Sequence, residues 1–332
     1  MSGVFHPGEL EVQRRAGVER MARRIGGSIH ASIPPLAEEF LNERHWVVLA
    51  TTDGAGRPWA SVVSGAPGFA QVVRGSGAGK DGDVGEDGVP ASSVAALPAT
   101  VRLDALPVPG DPLATNLATT EFVGLLAIDL AARRRMRINA RLKVDAGGGI
   151  LLHAEQVYAN CPKYIQRRMG GVAPRRPAGD KPIRGGALSA DQRSWIATAD
   201  TFFIATVNPG EGADASHRGG LPGFVQVEAG RLVWPDYQGN TMFNTLGNIV
   251  AYPRAGLLFP DFLTGRALQL TGRASIDWDP AHAAAVPGAE RMVQLVVEEV
   301  VEIQGAIPER LDLVGYSPYL PLPTDEGERA EG

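Results

Sequence analysis

Several short motifs in the sequence contain residue types that bind nucleotides. Gly77, Gly79 and Gly82 have the spacing of a dinucleotide-binding fingerprint, and the pair Gly79-Lys80 has the letters that end a phosphate-binding loop. Both chemistries need a strand before the glycines and a helix after them. The residues that follow, DVGEDG, are poor helix formers, and Asp81 stands where a phosphate-binding loop has Ser or Thr. We therefore expect no nucleotide site in this segment.

A second group of residues contains the types that hold zinc. His153 and Glu155 are followed by Cys161, as in the zinc deaminases, but the second and third metal ligands of that motif are absent. A single cysteine also excludes an internal disulfide and a cysteine-based zinc site. The sequence has neither a G-x-S-x-G elbow nor an H-E-x-x-H helix. We therefore predict no metal site and identify no catalytic side chain from motifs.

The composition narrows the class of protein further. The chain has 332 residues with 32 basic and 37 acidic side chains, so its net charge is −5. A nucleic-acid-binding protein usually has a basic surface, which this balance disfavours. No run of eighteen apolar residues occurs, and the first residues, MSGVFHPGELEVQRR, lack the apolar stretch of a signal peptide. We expect a cytoplasmic protein that binds neither nucleic acid nor membranes.

The chain contains an internal repeat. Residues 45–72 align with residues 200–227 at an offset of 155, with ten identities in 28 positions that include the shared P-G-F-x-Q-V. Residues 124–142 align with residues 256–274 at an offset of 132. Blocks in the same order indicate two homologous modules. The offsets differ by 23, so the first module carries an insertion, which we place in the Gly-rich and acidic residues 75–88.

Each module is predicted to be mainly β with few helices. Residues 135–142 alternate apolar and polar types, which is typical of a half-buried strand, and Gly272 in the equivalent strand indicates a bulge or a close backbone approach. Helices are predicted over residues 8–25 and from Asn240, as N-cap, to Ala251. The predicted organisation is a helical lead-in (1–44), a first barrel (45–169), a linker (170–190), a second barrel (191–315) and a tail (316–332).

With the repeat laid out, the second module resembles the pyridoxamine 5′-phosphate oxidase-like FMN-binding split-barrel family. The resemblance covers roughly residues 5–315 and is strongest after residue 200. Residues 160–168, NCPKYIQRR, resemble a signature of an uncharacterised tandem-module branch of that family. The blocks that carry the resemblance are SHRGGLPGFV (216–225), WPDYQGN (234–240), NTLGN (244–248), YPRAGLLF (252–259) and residues 265–272.

The resemblance implies a fold, a cofactor and a partner. The fold would be two tandem six-stranded split β-barrels, and FMN would lie at the edge of a barrel, in a site often completed by a second subunit. A homodimer is therefore expected. The implied activity is electron transfer between a small-molecule substrate or electron donor and an acceptor. Because the flavin carries that chemistry, no side-chain acid or base is strictly needed.

The resemblance also points to candidate cofactor-binding residues. A flavin phosphate is well received by backbone N–H groups at the start of a helix, and the turn at 239–241 offers such a place. Neutral donors, positive charge and an apolar wall for the ring would come from neighbouring blocks. The candidates are Asn240, Thr241, Asn244 and Thr245 as donors, Arg218 and Arg266 as cations, and Phe224, Val225 and Phe259 as the wall.

The sequence departs from the best-known enzymes of that family, which leaves other functions open. Neutral residues replace a basic triplet at the start of the helix, and the carboxy-terminal Trp and Arg that bind substrate in those enzymes have no clear counterpart. A genuine pyridoxamine phosphate oxidase is therefore not expected. The first alternative is a non-catalytic protein that binds flavin, haem or a deazaflavin. The second is an adaptor with a degenerate site.

Overall fold

The computed structural model describes residues 4–73, 99–145, 147–172, 181–228 and 230–321. The first part of the chain contains helices α1 (Pro7–Arg15), α2 (Glu19–Gly26), α3 (Pro35–Asn42) and α4 (Leu113–Asn116), and strands β1 (Trp46–Thr52), β2 (Pro58–Ser64), β3 (Ala70–Val73), β4 (Thr100–Leu103), β5 (Phe122–Asp129), β6 (Arg134–Val144), β7 (Ile150–Asn160) and β8 (Arg167–Val172). The second part contains helices α5 (Ala190–Thr198), α6 (Asn244–Ala251) and α7 (Pro280–Ala284), and strands β9 (Ile183–Gly185), β10 (Thr201–Asn208), β11 (Gly212–Gly219), β12 (Gln226–Glu228), β13 (Arg231–Tyr237), β14 (Arg254–Pro260), β15 (Ala267–Asp277), β16 (Ala289–Ile303) and β17 (Glu309–Gly315).

The two modules have the same antiparallel topology. The first sheet has the order β2-β1-β5-β6-β7-β4-β3, and the second has the order β11-β10-β14-β15-β16-β13-β12. Each strand of the first sheet thus has a counterpart at the same place in the second, as an internal duplication requires. The mainly β, tandem split-barrel fold is confirmed. Each sheet has seven strands along this path rather than six, because a short edge strand, β3 or β12, extends it.

The two copies differ most in one hairpin. Two residues, 229–230, separate β12 from β13 in the sequence, whereas residues 74–99 separate β3 from β4. The insertion therefore falls in this hairpin. The Gly-rich and acidic segment 75–88, which we expected to be a surface loop, lies outside the described residues.

Two of the predicted helices need correction. The helix expected over residues 8–25 is interrupted, because Gly17 adopts a positive φ of 68° and separates α1 from α2. The helix expected to start with Asn240 as its N-cap begins only at Asn244. Thr241 and Phe243 both have φ of 62°, a left-handed conformation that no helix can include. The structure therefore moves the N-cap of α6 three residues along the chain, from Asn240 to Phe243.

Parts of the expected linker and tail are folded against the modules. Within residues 170–190, β9 pairs with β16, and the end of β8 pairs with β17. In the segment from residue 316, Ser317 is buried, and its backbone N–H donates to Gln166. Residues 173–180 and 322–332 lie outside the description.

The modules share a hydrophobic core at their interface. Trp46 and Leu126 of the first module belong to one buried cluster with Phe203 and Leu258 of the second, and the rings of Trp46 and Phe203 meet edge to face at 5.8 Å. Gly256 allows the closest approach, since a Cβ at this position would lie 2.4 Å from the carbonyl oxygen of residue 58. The interface therefore resembles the interior of one domain more than a mobile contact.

Candidate functional site

A crevice of about 90 Å³ opens between the two modules. The first module contributes β6 and the residues that follow β7, and the second contributes β11, the end of β13 and the start of α6. Side chains from four separate stretches of sequence therefore converge there. The crevice is lined by Arg135, Arg137, Cys161, Lys163, Tyr164, residues 216–219, Phe224, residues 235–237, residues 239–241 and residues 243–246.

The structure places six of the nine candidate residues at this crevice and three elsewhere. Val225 and Phe259 are buried in the core of the second module. Arg266 forms ion pairs with Asp261 and Glu302, and its guanidinium lies over the Trp195 ring, so it does not line the crevice. The six candidates at the crevice are Arg218, Phe224, Asn240, Thr241, Asn244 and Thr245.

Arg135 is a crevice residue that the sequence did not identify. It lies on β6 and extends from the first module towards β11 of the second, where its Nη1 donates to Nδ1 of His217 at 3.1 Å. Burial, followed by the nearby guanidinium groups of Arg137 and Arg218, lowers the pKa of Arg135 to about 9, so it keeps its charge at neutral pH. Within the described residues no carboxylate pairs with it. Such a partly buried cation without a carboxylate partner favours the binding of an anion.

His217 presents a second donor to the crevice. An arginine nitrogen can only donate, so Nδ1 of His217 accepts from Arg135 and the ring hydrogen is on Nε2. Burial and the charges of Arg135, Arg218 and Arg137 hold the pKa of His217 well below its usual range. The ring is 6% exposed and stays neutral. Its Nε2–H is a buried donor without an acceptor in the described part of the chain.

Four buried polar atoms at this crevice have no hydrogen-bond partner among the described residues. They are Nε of Arg135, Nε of Arg218, Nε2 of His217 and Oγ1 of Thr241. The three nitrogens all donate, and a buried donor without an acceptor costs about 1–3 kcal/mol. Arg218 is held in place by Asp236, whose Oδ1 accepts from its Nη1 at 2.9 Å. The donors together fit a group with several anionic oxygens, such as a phosphate.

A hydrogen-bond network around Asp214 balances the positive charge of Arg137, which also lines the crevice. Asp214 accepts from Arg137 Nη2 at 3.3 Å, from Ser216 Oγ at 2.8 Å and from Thr245 Oγ1 at 3.2 Å. Nη1 of Arg137 also donates to Asn244 Oδ1 at 3.4 Å. Because Arg137 already has a carboxylate partner, it fixes β6 against β11 and adds positive potential to the crevice.

The start of α6 adds backbone donors. Its N-cap, Phe243, makes no side-chain hydrogen bond to the first turn of the helix, so no cap side chain occupies the first amides. Thr241 and Phe243 hold left-handed conformations that cost about 1–2 kcal/mol each for residues with a Cβ. Opposite them, the rings of Tyr164 and Tyr237 lie 5.2 Å apart and form an aromatic wall.

The equivalent position in the other half of the molecule is filled by side chains. The repeat pairs Ser216 with Ser61 and Arg137 with Gln269. Gln269 is fully buried and donates to Ser61 Oγ at 3.0 Å and to Asp111 Oδ2 at 3.2 Å. Burial raises the pKa of Asp111 to about 6. In this buried polar cluster the amide nitrogen of Gln269 has acceptors, whereas the donors of Arg135 and His217 at the crevice have none among the described residues.

The chemistry of the crevice fits the phosphate end of a flavin nucleotide. The phosphate would receive hydrogen bonds from Arg135, Arg218 and His217, and the amides at the start of α6 would add further donors.

No group of three His, Cys, Asp or Glu side chains in the described ranges could hold a metal ion. None of the described helices has the length and apolar character needed to cross a lipid bilayer.

The fold and the crevice define a protein of two split-barrel modules with a donor-rich crevice between them. The model of the family described as Pyridoxamine 5'-phosphate oxidase matches residues 188–312. The match covers 125 of the 332 residues, so it is the second module that is similar to this family.

Solved structures similar to this chain each span about one module. HupZ from Group A Streptococcus is 14% identical and covers 36% of this chain and 98% of its own, with a TM-score of 0.30. A putative pyridoxamine 5′-phosphate oxidase from Lactobacillus delbrueckii is 20% identical with the same coverage and TM-score. An F420 reductase is 17% identical and covers 32% of this chain and 92% of its own, with a TM-score of 0.25. No curated protein matches the sequence.

Proposed function

We propose that the protein is an FMN-binding oxidoreductase that holds the cofactor in the crevice between its two modules. The observation that carries this proposal is the set of unpaired buried donors on Arg135, Arg218 and His217. Two of these groups are cationic and the third is a neutral N–H donor, so together they accommodate a dianionic phosphate. The match of the second module to the pyridoxamine 5′-phosphate oxidase family model supports a flavin as the group that carries this phosphate.

The chain's own residues would position the cofactor rather than react with it. Tyr164, Tyr237 and Phe224 offer apolar and aromatic surface to a planar ring. The positive charges of Arg137 and Lys163 favour extra negative charge in the crevice. When bound, FMN supplies hydride or single-electron transfer. We therefore assign binding, orientation and electrostatic roles to these residues and no acid–base role to any of them.

The site takes residues from both modules of one chain. Arg135 comes from β6 of the first module and Arg218 from β11 of the second, so the first module supplies what a second subunit often supplies in the family. One chain is thus sufficient to form the proposed site. A homodimer remains a prediction, which light scattering of the purified protein tests. A small-molecule electron donor and a cytoplasmic location are also part of the proposal.

A titration of the purified protein with FMN, followed by a visible spectrum, tests the proposal. We expect flavin fluorescence to be quenched at one site per chain, and the bound flavin to be reduced and reoxidised repeatedly with NAD(P)H or another small donor. A flavin that stays oxidised with every donor would favour the non-catalytic binding protein. A haem or deazaflavin spectrum in the purified protein, or no affinity for FMN, would contradict the proposal.

A further inference from the structure

Cys161 is a free thiol at the exposed edge of the crevice. It is the single cysteine of the chain, it is exposed, and it belongs to the crevice lining. It directly follows β7, whose last residue, Asn160, pairs with Arg135 of β6. The proposed flavin site gives this thiol no role. An accessible thiol among positive charges is the setting in which cysteines react with disulfides and oxidants.

The side chains around Cys161 carry an excess of positive charge. The one carboxylate among the described residues of the lining, that of Asp236, already accepts hydrogen bonds from Arg218 at 2.9 Å and from Arg291 at 2.7 Å. Burial and two neighbouring guanidinium groups lower the pKa of Arg135, and the Cys161 thiol acts in the opposite direction, so these two side chains lie within electrostatic reach of each other. An anion that approaches the thiol is therefore attracted. The cationic side chains of the lining are Arg135, Arg137, Lys163 and Arg218.

A buried donor in the same crevice points independently to an anionic ligand. His217 is 6% exposed and lines the crevice, and its Nε2–H has no acceptor among the described residues. The Nε atoms of Arg135 and Arg218 are buried and unpaired as well. Carboxylate or phosphate oxygens of a ligand would satisfy such donors. A molecule whose anionic end occupies them lies in the same crevice as the Cys161 thiol.

We propose that Cys161 is a modification site that forms a mixed disulfide with small disulfides bearing carboxylate groups. The crevice donors hold a carboxylate of the incoming molecule, and the Sγ thiolate of Cys161 attacks one of its two sulfur atoms. A new S–S bond forms as the old one breaks. The other half departs as a thiolate and takes up a proton from solvent, which balances the proton that Cys161 has lost.

The adduct controls access to the crevice. It leaves an anionic group at the donors, so modification of Cys161 and occupancy by a phosphate exclude each other. A small thiol reverses the step by the same exchange, which makes access depend on the thiol–disulfide balance of the surroundings. The proposal rests on the donor-rich crevice and does not require that flavin is its ligand.

Rate measurements on the full chain without flavin test this site. The probes are 5,5′-dithiobis(2-nitrobenzoate), a disulfide with two carboxylates, and 4,4′-dithiodipyridine, a neutral disulfide. The ratio of their second-order rate constants with the protein is divided by the same ratio for N-acetylcysteinamide, a neutral model thiol. We expect a normalised ratio of about ten or more, because a cationic site speeds the encounter with an anion. Inorganic phosphate should lower this ratio more than chloride does at the same ionic strength, because phosphate occupies the donors.

Matched variants locate the effect. Arg135→Met should lower the normalised ratio by about threefold or more, because it removes a donor and a positive charge next to the thiol. Arg266→Met removes the same charge outside the crevice and should leave the ratio unchanged within about twofold. Cys161→Ser should consume neither reagent, since the chain has no other cysteine. A circular dichroism spectrum checks that each variant is folded, and the phosphate measurement on the unaltered chain needs no variant.

Four results would overturn the proposal. They are no reaction with either reagent, a normalised ratio of about one, protection by phosphate no better than by chloride, and an equal loss in Arg135→Met and Arg266→Met, which would show attraction by net charge alone. An FMN titration of Cys161→Ser separates this proposal from the flavin proposal. Normal FMN binding with a ratio of about one in the unaltered chain refutes only the modification site, whereas a raised ratio without FMN binding refutes only the flavin.

Discussion

Replacement of Arg135 by methionine should change ligand binding and stability in opposite directions. Arg135 is partly buried at the crevice, lacks a carboxylate partner in the described residues, and has a buried, unpaired Nε. A hydrogen bond to a charged group contributes about 1.5–3 kcal/mol, so its loss should weaken FMN binding by about 10- to 150-fold. The unliganded protein should instead become more stable, because an uncompensated buried charge is removed.

The size of the stability gain follows from two opposing terms. Replacement of buried ionic groups by apolar side chains of similar volume often stabilises a protein by about 1–4 kcal/mol. The hydrogen bond from Arg135 to His217 is lost, which costs about 1 kcal/mol. The two terms leave a net rise of about 0–3 kcal/mol in the free energy of unfolding of Arg135→Met relative to the wild type without ligand.

Two assays and two control variants complete this test. Flavin fluorescence measures binding in phosphate-free buffer, and urea unfolding followed by tryptophan fluorescence measures stability. Arg266→Met, which alters an arginine outside the crevice, should leave FMN affinity unchanged within about twofold. Arg218→Met should weaken binding without a stability gain, because it also leaves Asp236 with one cation fewer. Unchanged FMN affinity in Arg135→Met, or a parallel loss of binding and stability, would refute the reasoning.

Three further predictions concern packing and protonation. Gly256→Ala places a Cβ 2.4 Å from the carbonyl oxygen of residue 58 and should lower the free energy of unfolding by about 1–3 kcal/mol in urea, whereas Gly212→Ala, whose Cβ meets no atom within 4 Å, should change it little. Burial raises the pKa of Glu9 from 4.5 to about 7, so the folded chain binds this proton more tightly and stability falls as the pH rises from about 4.5 to 7. Glu9→Gln should then be more stable than the wild type at pH 8 by up to about 3 kcal/mol but not at pH 4.5, and equal differences at both pH values would contradict this. Nitrogen NMR shifts of His217 should show a neutral ring with hydrogen on Nε2 between pH 5 and 8, and a titration in this range would show that the crevice is not strongly cationic.

The duplication and much of the second module's site could be predicted from sequence because they rest on local signals. The shared P-G-F-x-Q-V and the offsets of 155 and 132 gave the same order of strands that the structure shows. Gly272 marked a bulge, and the register of β15 and β16 shifts at that residue, where a Cβ would lie 2.0 Å from the carbonyl oxygen of Val296. The clustering of Arg218 with residues 240–245 followed from the family pattern in these blocks.

The contribution of the first module could not be predicted in the same way. Arg135 and Arg137 alternate with Met136 and Ile138, a pattern that indicates a solvent-exposed polar face. In the structure this face of β6 meets β11 of the other module, and only the tertiary fold determines that contact. The repeat did indicate that the two modules differ in charge here. Its offset of 132 aligns Arg137 of the first module with the neutral Gln269 of the second.

The other differences between the predicted and the observed structure have local causes that the residue types do not reveal. Asn240 satisfies the N-cap rule, but the left-handed Thr241 and Phe243 delay the helix, and residues with a Cβ rarely adopt that conformation. Val225 and Phe259 are apolar side chains that suit either a ring contact or the core, and burial places both in the core. The apolar pattern of the sequence does not distinguish a side chain in the core from one that contacts a cofactor ring.

A crystal structure of the protein grown with excess FMN tests the central claim most directly. The account predicts the phosphate within hydrogen-bonding distance of Nε of Arg135, Nε of Arg218 and Nε2 of His217, with the ring beside Tyr164 and Tyr237. Flavin bound away from these three nitrogens, or a crevice without nucleotide density at saturating FMN, would contradict it.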